Sequence, residues 1–140
     1  MENFDDIESI LKLENLIVNE QIFKRDTDCE DTLDMLDSVI RFSRSIEYIG
    51  DKEDEAIVSL GIEMKHKKQL AELEVRISGH FFVQGNINNE LKYSLFERNA
   101  VTIIFPYLRS QLSIATTQPG MIPVVLPAIN ILSLLEKNDN

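Results

Sequence analysis

The chain has 140 residues, 44% hydrophobic and 27% charged, with a formal net charge of −10 and one cysteine. That is one domain's length with enough apolar content for a core, and it excludes wholesale disorder, an internal disulfide and a CxxC site. Residues 1–60 hold 17 Asp/Glu against 6 Lys/Arg, whereas residues 61–140 hold 7 against 8, so a phosphate backbone is repelled and nucleic acid is an unsuitable partner.

The N-terminal MENFDDIESI carries acids where a signal peptide needs positive charge, and no run reaches the 18 or so apolar residues of a membrane span. With a single thiol, this points to a reducing, cytoplasmic setting without direct membrane insertion. Phe4–Leu11 reads equally as a short helix or the start of a strand. Leu16–Lys24 reads as a strand with Leu16, Val18 and Ile22 on one face and Ile17 and Phe23 opposite. Asp26–Asp34 is acidic and loop-like; Cys29 lies in it beside acids that oppose a thiolate, and the cluster lacks the glycine and terminal glutamate of a calcium loop. Leu36–Ile49 is a weaker strand, with Ile40, Phe42, Ile46 and Tyr48 on one face and Arg44 interrupting it.

After a turn at Gly50–Glu55 comes the clearest strand, Glu55–Lys67. Ala56, Val58, Leu60, Ile62 and Met64 face one way and polar residues the other, with Ile57 the exception. A polar link at His66–Gln69 leads into its mirror image, where Ala71, Leu73, Val75 and Ile77 alternate with Glu72, Glu74, Arg76 and Ser78. Two such strands predict a hairpin with one wet and one buried face. His66 reads as solvated in the turn and His80 as structural, and the Glu72/Glu74 pair as the wet side of a strand.

A helix is expected from Asn88 or Asn89 to about Thr117, kinked at Pro106, which frees the carbonyl of Thr102. Pro119-Gly120 ends it, and Pro119, Pro123 and Pro127 favour a stiff extended path. Asn130 then caps a short final helix. Between Asn99 and Ile131 the only charged side chain is Arg109. On the helix, Val101, Ile104, Leu108, Leu112 and Ala115 form one stripe, with Phe105 close to it and Ile103, Tyr107 and Ile114 on a second flank. One stripe can pack on a sheet; a second apolar flank needs another partner, which makes self-association through the helix the expectation. Walker, GxGxxG, GxSxG and HExxH motifs do not occur, and no residue recommends itself as catalytic, so an enzyme is not the expectation and no cofactor or metal is implied.

Ile104-Phe105-Pro106-Tyr107-Leu108-Arg109, then Gly120, then Pro123-Val124-Val125-Leu126-Pro127-Ala128-Ile129-Asn130 resembles the C-terminal signature of the SecB family of export chaperones. The Phe-Pro-Tyr-x-Arg element is intact; the loop is looser, and the resemblance covers about Leu13 to Leu135. It implies an α+β fold in a single domain over residues 1–140. A four-stranded antiparallel sheet (about 13–84) is packed by a long kinked helix (about 88–117), followed by a Pro-rich crossover loop (118–129) and a short C-terminal helix (130–137). It further implies a homotetramer, a dimer of dimers built through the helix, with Val101, Ile104, Leu108, Leu112 and Ala115 as the interface. ATP-independent holding of unfolded clients, either preproteins or an antitoxin, would use apolar grooves, here Phe105, Tyr107, Ile122, Val124, Leu126, Ile129 and Leu135. Docking of the export ATPase would use an acidic sheet face, where Glu20 and Leu73 match the family; Lys24 and Val75 stand where acids are usual, and only EKNDN follows Leu135. A non-chaperone oligomeric adaptor on the same fold is the alternative.

Overall fold

The computed structural model describes residues 10–27, 38–66 and 71–138; Cys29 and most of the acidic stretch around it lie outside them. Four strands, β1 (Leu11–Arg25), β2 (Ser38–Ile49), β3 (Glu55–His66) and β4 (Ala71–Val83), form one antiparallel sheet in the order β1-β4-β3-β2. This is a Greek-key arrangement, with β2, β3 and β4 consecutive neighbours and β1 returned to lie beside β4.

The period-2 pattern of β3 and β4 does what alternation dictates. Ala56, Val58, Leu60, Ile62 and Met64 of β3 and Leu73, Val75, Ile77 and Phe81 of β4 are buried beneath the helices. Ile57, the exception in the sequence, is half-buried on the opposite, outer face, in register with His80. His66 is not in a turn: it is the last residue of β3, half-buried opposite Ser38. Arg44 sits on the inner face of β2, where it looked like an interruption. Its Nη1 donates to the Glu97 carbonyl at 2.7 Å, so the charge is a strut between sheet and helix.

β1 departs from simple alternation. Its register against β4 slips between Leu13 and Asn15 and again between Val18 and Glu20. Each extra residue in a bulge reverses which face the following side chains take. Leu16 and Val18 therefore share the inner face with Phe23, while Ile22 joins Ile17 on the outer face, in register with Glu74. The expected grouping of Ile22 with Leu16 and Val18 is wrong for this reason. Asn19, at the second bulge, accepts from Ser78 Oγ at 2.5 Å.

The long helix α1 runs through 89–115 in three stretches: an α-turn at Asn89–Ser94, a π-turn at Leu95–Asn99 and a regular α-helix at Ala100–Ala115. Asn88 caps it, accepting from the Leu91 amide at 2.8 Å. Lys92 is buried and donates to the Lys52 carbonyl at 2.7 Å and to Asp54 at 3.2 Å, and Tyr93 donates to Glu53. These bonds fasten the start of α1 to the β2–β3 turn, where Glu53 has a φ of 54°. The hydrogen bond to Glu53 pushes the Tyr93 hydroxyl above the usual tyrosine range, and burial, then the charge of Glu97, does the same for Tyr48.

α1 stays helical through Pro106. Pro106 and Thr102 are both exposed, so the carbonyl that proline strands is free to meet water and the α-helix continues through it. The departure from α-geometry lies upstream, in the π-turn, where Phe96 meets Tyr48 edge-on at 5.7 Å and Arg44 holds the Glu97 carbonyl.

Helix and sheet approach closely at Gly79. A Cβ there would lie 2.7 Å from the Phe81 ring and 3.1 Å from both Ile104 and Leu13. Gly79→Ala is expected to destabilise the fold by about 1–3 kcal/mol through overpacking; an unchanged urea midpoint would show that α1 does not rest there.

Candidate binding groove along the long helix

The inward stripe of α1 comprises Ala100, Val101, Ile104, Phe105, Leu108, Leu112 and Ala115, all buried in the chain's own core. This corrects the assignment of Val101, Ile104, Leu108, Leu112 and Ala115 to a subunit interface. They are 0–2% exposed on a single chain, so they have no surface left for another copy. The second flank is the one left open: Ile103 is 39% exposed, Tyr107 52% and Ile114 62%.

Leading from α1 to the last helix, α2 (Ile131–Asn138), the segment 116–130 crosses back alongside α1. Val124 and Leu126 are buried, alternating with exposed Pro123, Val125 and Pro127, which is the pattern of an extended chain. No strand among the described residues pairs with it, so its buried backbone groups need other partners. The helix supplies them. Arg109 Nη2 donates to the Leu126 carbonyl at 2.9 Å, Ser113 Oγ donates to the Val124 carbonyl at 2.9 Å, and the Val124 amide donates to Thr116 Oγ1 at 2.7 Å. Arg25, at the end of β1, holds the Gly120 carbonyl at 3.0 Å, and Gly120 takes a φ of 74° that suits glycine alone. Asn130 caps α2 by accepting from the Ser133 amide at 3.2 Å, and Arg98 ties α2 to α1 through Glu136 at 2.7 Å.

Two adjoining hollows follow this seam. One, of 490 Å³, is bounded by Thr102, Phe105 and residues 128–132. The other, of 290 Å³, is bounded by Pro106, Arg109, Ser110, Ser113, Val125 and Leu126. Both open along the same seam between α1 and the chain that returns beside it, and together they make up the trough.

Of the residues expected to hold a ligand, Phe105, Leu126 and Ile129 border this trough. Tyr107 and Ile122 are exposed outside it, and Val124 and Leu135 are buried in the core. The last two line neither hollow. Pro106, Arg109, Ser110 and Ser113 were missed as a group, although their i, i+3, i+4, i+7 spacing puts them on one helical stripe. Leu73 is also corrected. It is 1% exposed on the inner face of β4, under the helix, while Glu72, Glu74 and Arg76 face outward. Glu20 is on the outer face, 3.7 Å from Arg76.

His80, also outward, lies between Glu55 at 2.9 Å and Glu14 at 3.4 Å. Among the described residues no group of three His, Cys, Asp or Glu side chains is placed to hold a metal ion, and no helix is long and apolar enough to cross a membrane.

The family model of the preprotein translocase subunit SecB matches residues 37–140. The chain belongs to the SecB family. A protein-export protein SecB of Burkholderia vietnamiensis is 35% identical over 92 residues, which cover 65% of this chain and 57% of the relative. An uncharacterised protein of Methanocaldococcus jannaschii is 28% identical over 100 residues, covering 69% of this chain and 64% of that one. The chain thus spans about three-fifths of the length of the curated relatives it matches. Among solved structures, the Mycobacterium tuberculosis SecB-like chaperone Rv1957, in complex with a ChAD peptide from the HigA1 antitoxin, superposes with a TM-score of 0.67 at 10% identity, covering 90% of this chain and 92% of that one. That likeness establishes the SecB-like fold: a four-stranded antiparallel sheet, a long helix and a short C-terminal helix.

Proposed function

We propose that this SecB-family chain is an ATP-independent holdase that keeps unfolded polypeptides soluble in the trough between α1 and the crossover segment. The observation that carries the reading is that trough, floored by side-chain-to-backbone bonds and walled by Phe105, Val125, Leu126, Ile129 and Ile131. An unfolded client exposes apolar segments, and burying them returns about 25 cal/mol per Å². Ordering the client consumes much of that, so several troughs on one assembly must act together.

The assembly we propose is a homotetramer. Ile103, Tyr107 and Ile114 recur at helical spacing and are exposed on the side of α1 away from the sheet, which suits a helix-to-helix contact between copies. The setting is cytoplasmic, without nucleic acid or cofactor.

Val125 provides the test. It is 71% exposed and borders the trough, so Val125→Asp leaves the thermal midpoint unchanged yet weakens suppression of aggregation of an unfolded test protein severalfold. Equal suppression by the variant would move the site elsewhere. Phe105 is less useful, because it is buried and its truncation would cost about 3–5 kcal/mol of stability.

Clients are preproteins or a dedicated antitoxin. The outer sheet face favours the second. Glu20 pairs with Arg76 at 3.7 Å, Glu72 with Lys24 at 3.8 Å and Glu63 with Lys65 at 3.0 Å, and the Glu63 bond pushes the Lys65 ammonium up. These exposed pairs add little stability, but they leave a mixed face where an export ATPase would need an acidic one. The solved SecB-like relative bound to an antitoxin peptide supports the same preference. Calorimetric titration with the export ATPase decides: no heat of binding fits the antitoxin reading, and tight binding restores export.

A further inference from the structure

On the outer face of the sheet, away from the helices, His80 stands between acids from two different strands. It lies on β4 in register with Asn15 of β1 and Ile57 of β3. Its Nε2 is 2.9 Å from Glu55 Oε2 on β3, and its Nδ1 is 3.4 Å from Glu14 Oε2 on β1. Glu14 reaches it because of a bulge. Leu13 and Leu16 are three residues apart, yet they pair with Phe81 and Gly79, which are two apart on the inner face. Keeping both leucines inward leaves one extra residue between them, and the carboxylate of Glu14 emerges beside His80. The other charged groups on this part of the outer face, among the described residues, are Lys12, in register with Phe82, and Glu47, in register with Ile57. In the β2–β3 turn, Glu53 and Asp54 are taken up by Tyr93 and Lys92 of α1, and Asp51 and Lys52 carry opposite charges.

A neutral imidazole has one N–H donor and one acceptor, whereas an imidazolium has two donors. With the ring neutral and Nε2–H serving Glu55, the shorter contact, Nδ1 turns a lone pair towards the Glu14 carboxylate. Protonation replaces that repulsion with a second charge-assisted bond. We propose that His80 is a pH-operated staple: protonated, it ties the start of the edge strand β1 to β4 and β3, and neutral, it releases β1. Histidine changes charge between about pH 5 and 8, where carboxylates stay ionised, so the staple is closed on the acid side of that window and lost as pH rises through it. β1 has a neighbour on one side only, so its end can open without the rest of the sheet. Opening there uncovers Leu11, which is 4% exposed and paired with Val83. Beyond it the Gln84 amide donates to the Ile10 carbonyl at 2.8 Å.

Amide hydrogen exchange of the intact protein at pH 6 and pH 8 tests the staple, expressed as protection factors so that the intrinsic effect of pH cancels. The protected amides among residues 11–15 should be about two- to fivefold better protected at pH 6, the modest size expected of exposed ion pairs. Amides of β3 should change little, and added salt should shrink the gain. His80→Gln keeps a donor for Glu55 but cannot take a charge, and Glu14→Gln removes the facing carboxylate, so each should level the two values. The Glu14 side chain is 60% exposed, so Glu14→Gln keeps the fold and decides the matter even if His80→Gln does not. The other histidine, His66, closes the far end of β3 opposite Ser38, too remote to act on residues 11–15. Equal protection at the two pH values in the wild type, or a pH response that persists in either variant, overturns the proposal.

Discussion

Leu108→Asp is expected to unfold the chain, and Ile114→Asp to leave it folded while lowering the mass of its assembly. Leu108 is 0% exposed, in the stripe of α1 that packs on β3 and β4. A carboxylate there must lie uncompensated among apolar side chains or leave the core, at a cost of more than about 5 kcal/mol. A domain this size holds about 5–15 kcal/mol in all, so far-ultraviolet circular dichroism should show loss of structure near room temperature. Ile114, six residues on, is 62% exposed. A charge there costs the monomer about 0.5 kcal/mol or less but is incompatible with burial of the Ile103, Tyr107 and Ile114 flank between copies. Light scattering reads the difference. A folded, monomeric Leu108→Asp variant would mean that the stripe does not pack on its own sheet.

Arg109→Leu is expected to loosen the crossover segment without unfolding the sheet. The Leu126 carbonyl loses the donor that reaches it from α1 at 2.9 Å. A buried acceptor left unsatisfied costs about 2 kcal/mol, equivalent to a fall of about 6 °C in thermal midpoint for a chain of this length. The loss should be local. Hydrogen exchange at the Val124 amide, held by Thr116 Oγ1 at 2.7 Å, should speed up while β3 and β4 amides keep their protection. Uniformly faster exchange would show that the segment is not separately pinned.

The sheet was legible because β3 and β4 alternate apolar and polar residues on a chain with one wet face. The last helix was legible because Asn130 stands just ahead of an apolar run. β1 was not, because a bulge leaves no mark in composition: the extra residues near Glu14 and Asn19 appear only once β4 fixes the register. Arg44 read as a defect because its acceptor is a backbone carbonyl more than 50 residues away. The helix stripe was correctly grouped, but sequence alone could not decide which apolar flank meets the sheet and which is left open. In the crossover segment the prolines announced an extended path. That Val124 turns inward and Val125 outward follows from which backbone groups Arg109, Ser113 and Thr116 hold.

The most direct test of the holdase account is a photo-crosslinking side chain placed at position 125, beside the trough, and in a separate protein at position 45, on the outer face of β2. The account predicts that position 125 joins covalently to an unfolded test protein, without nucleotide and not to its native form, while position 45 does not. Adducts from position 45 but not from 125, or none from either, would contradict it.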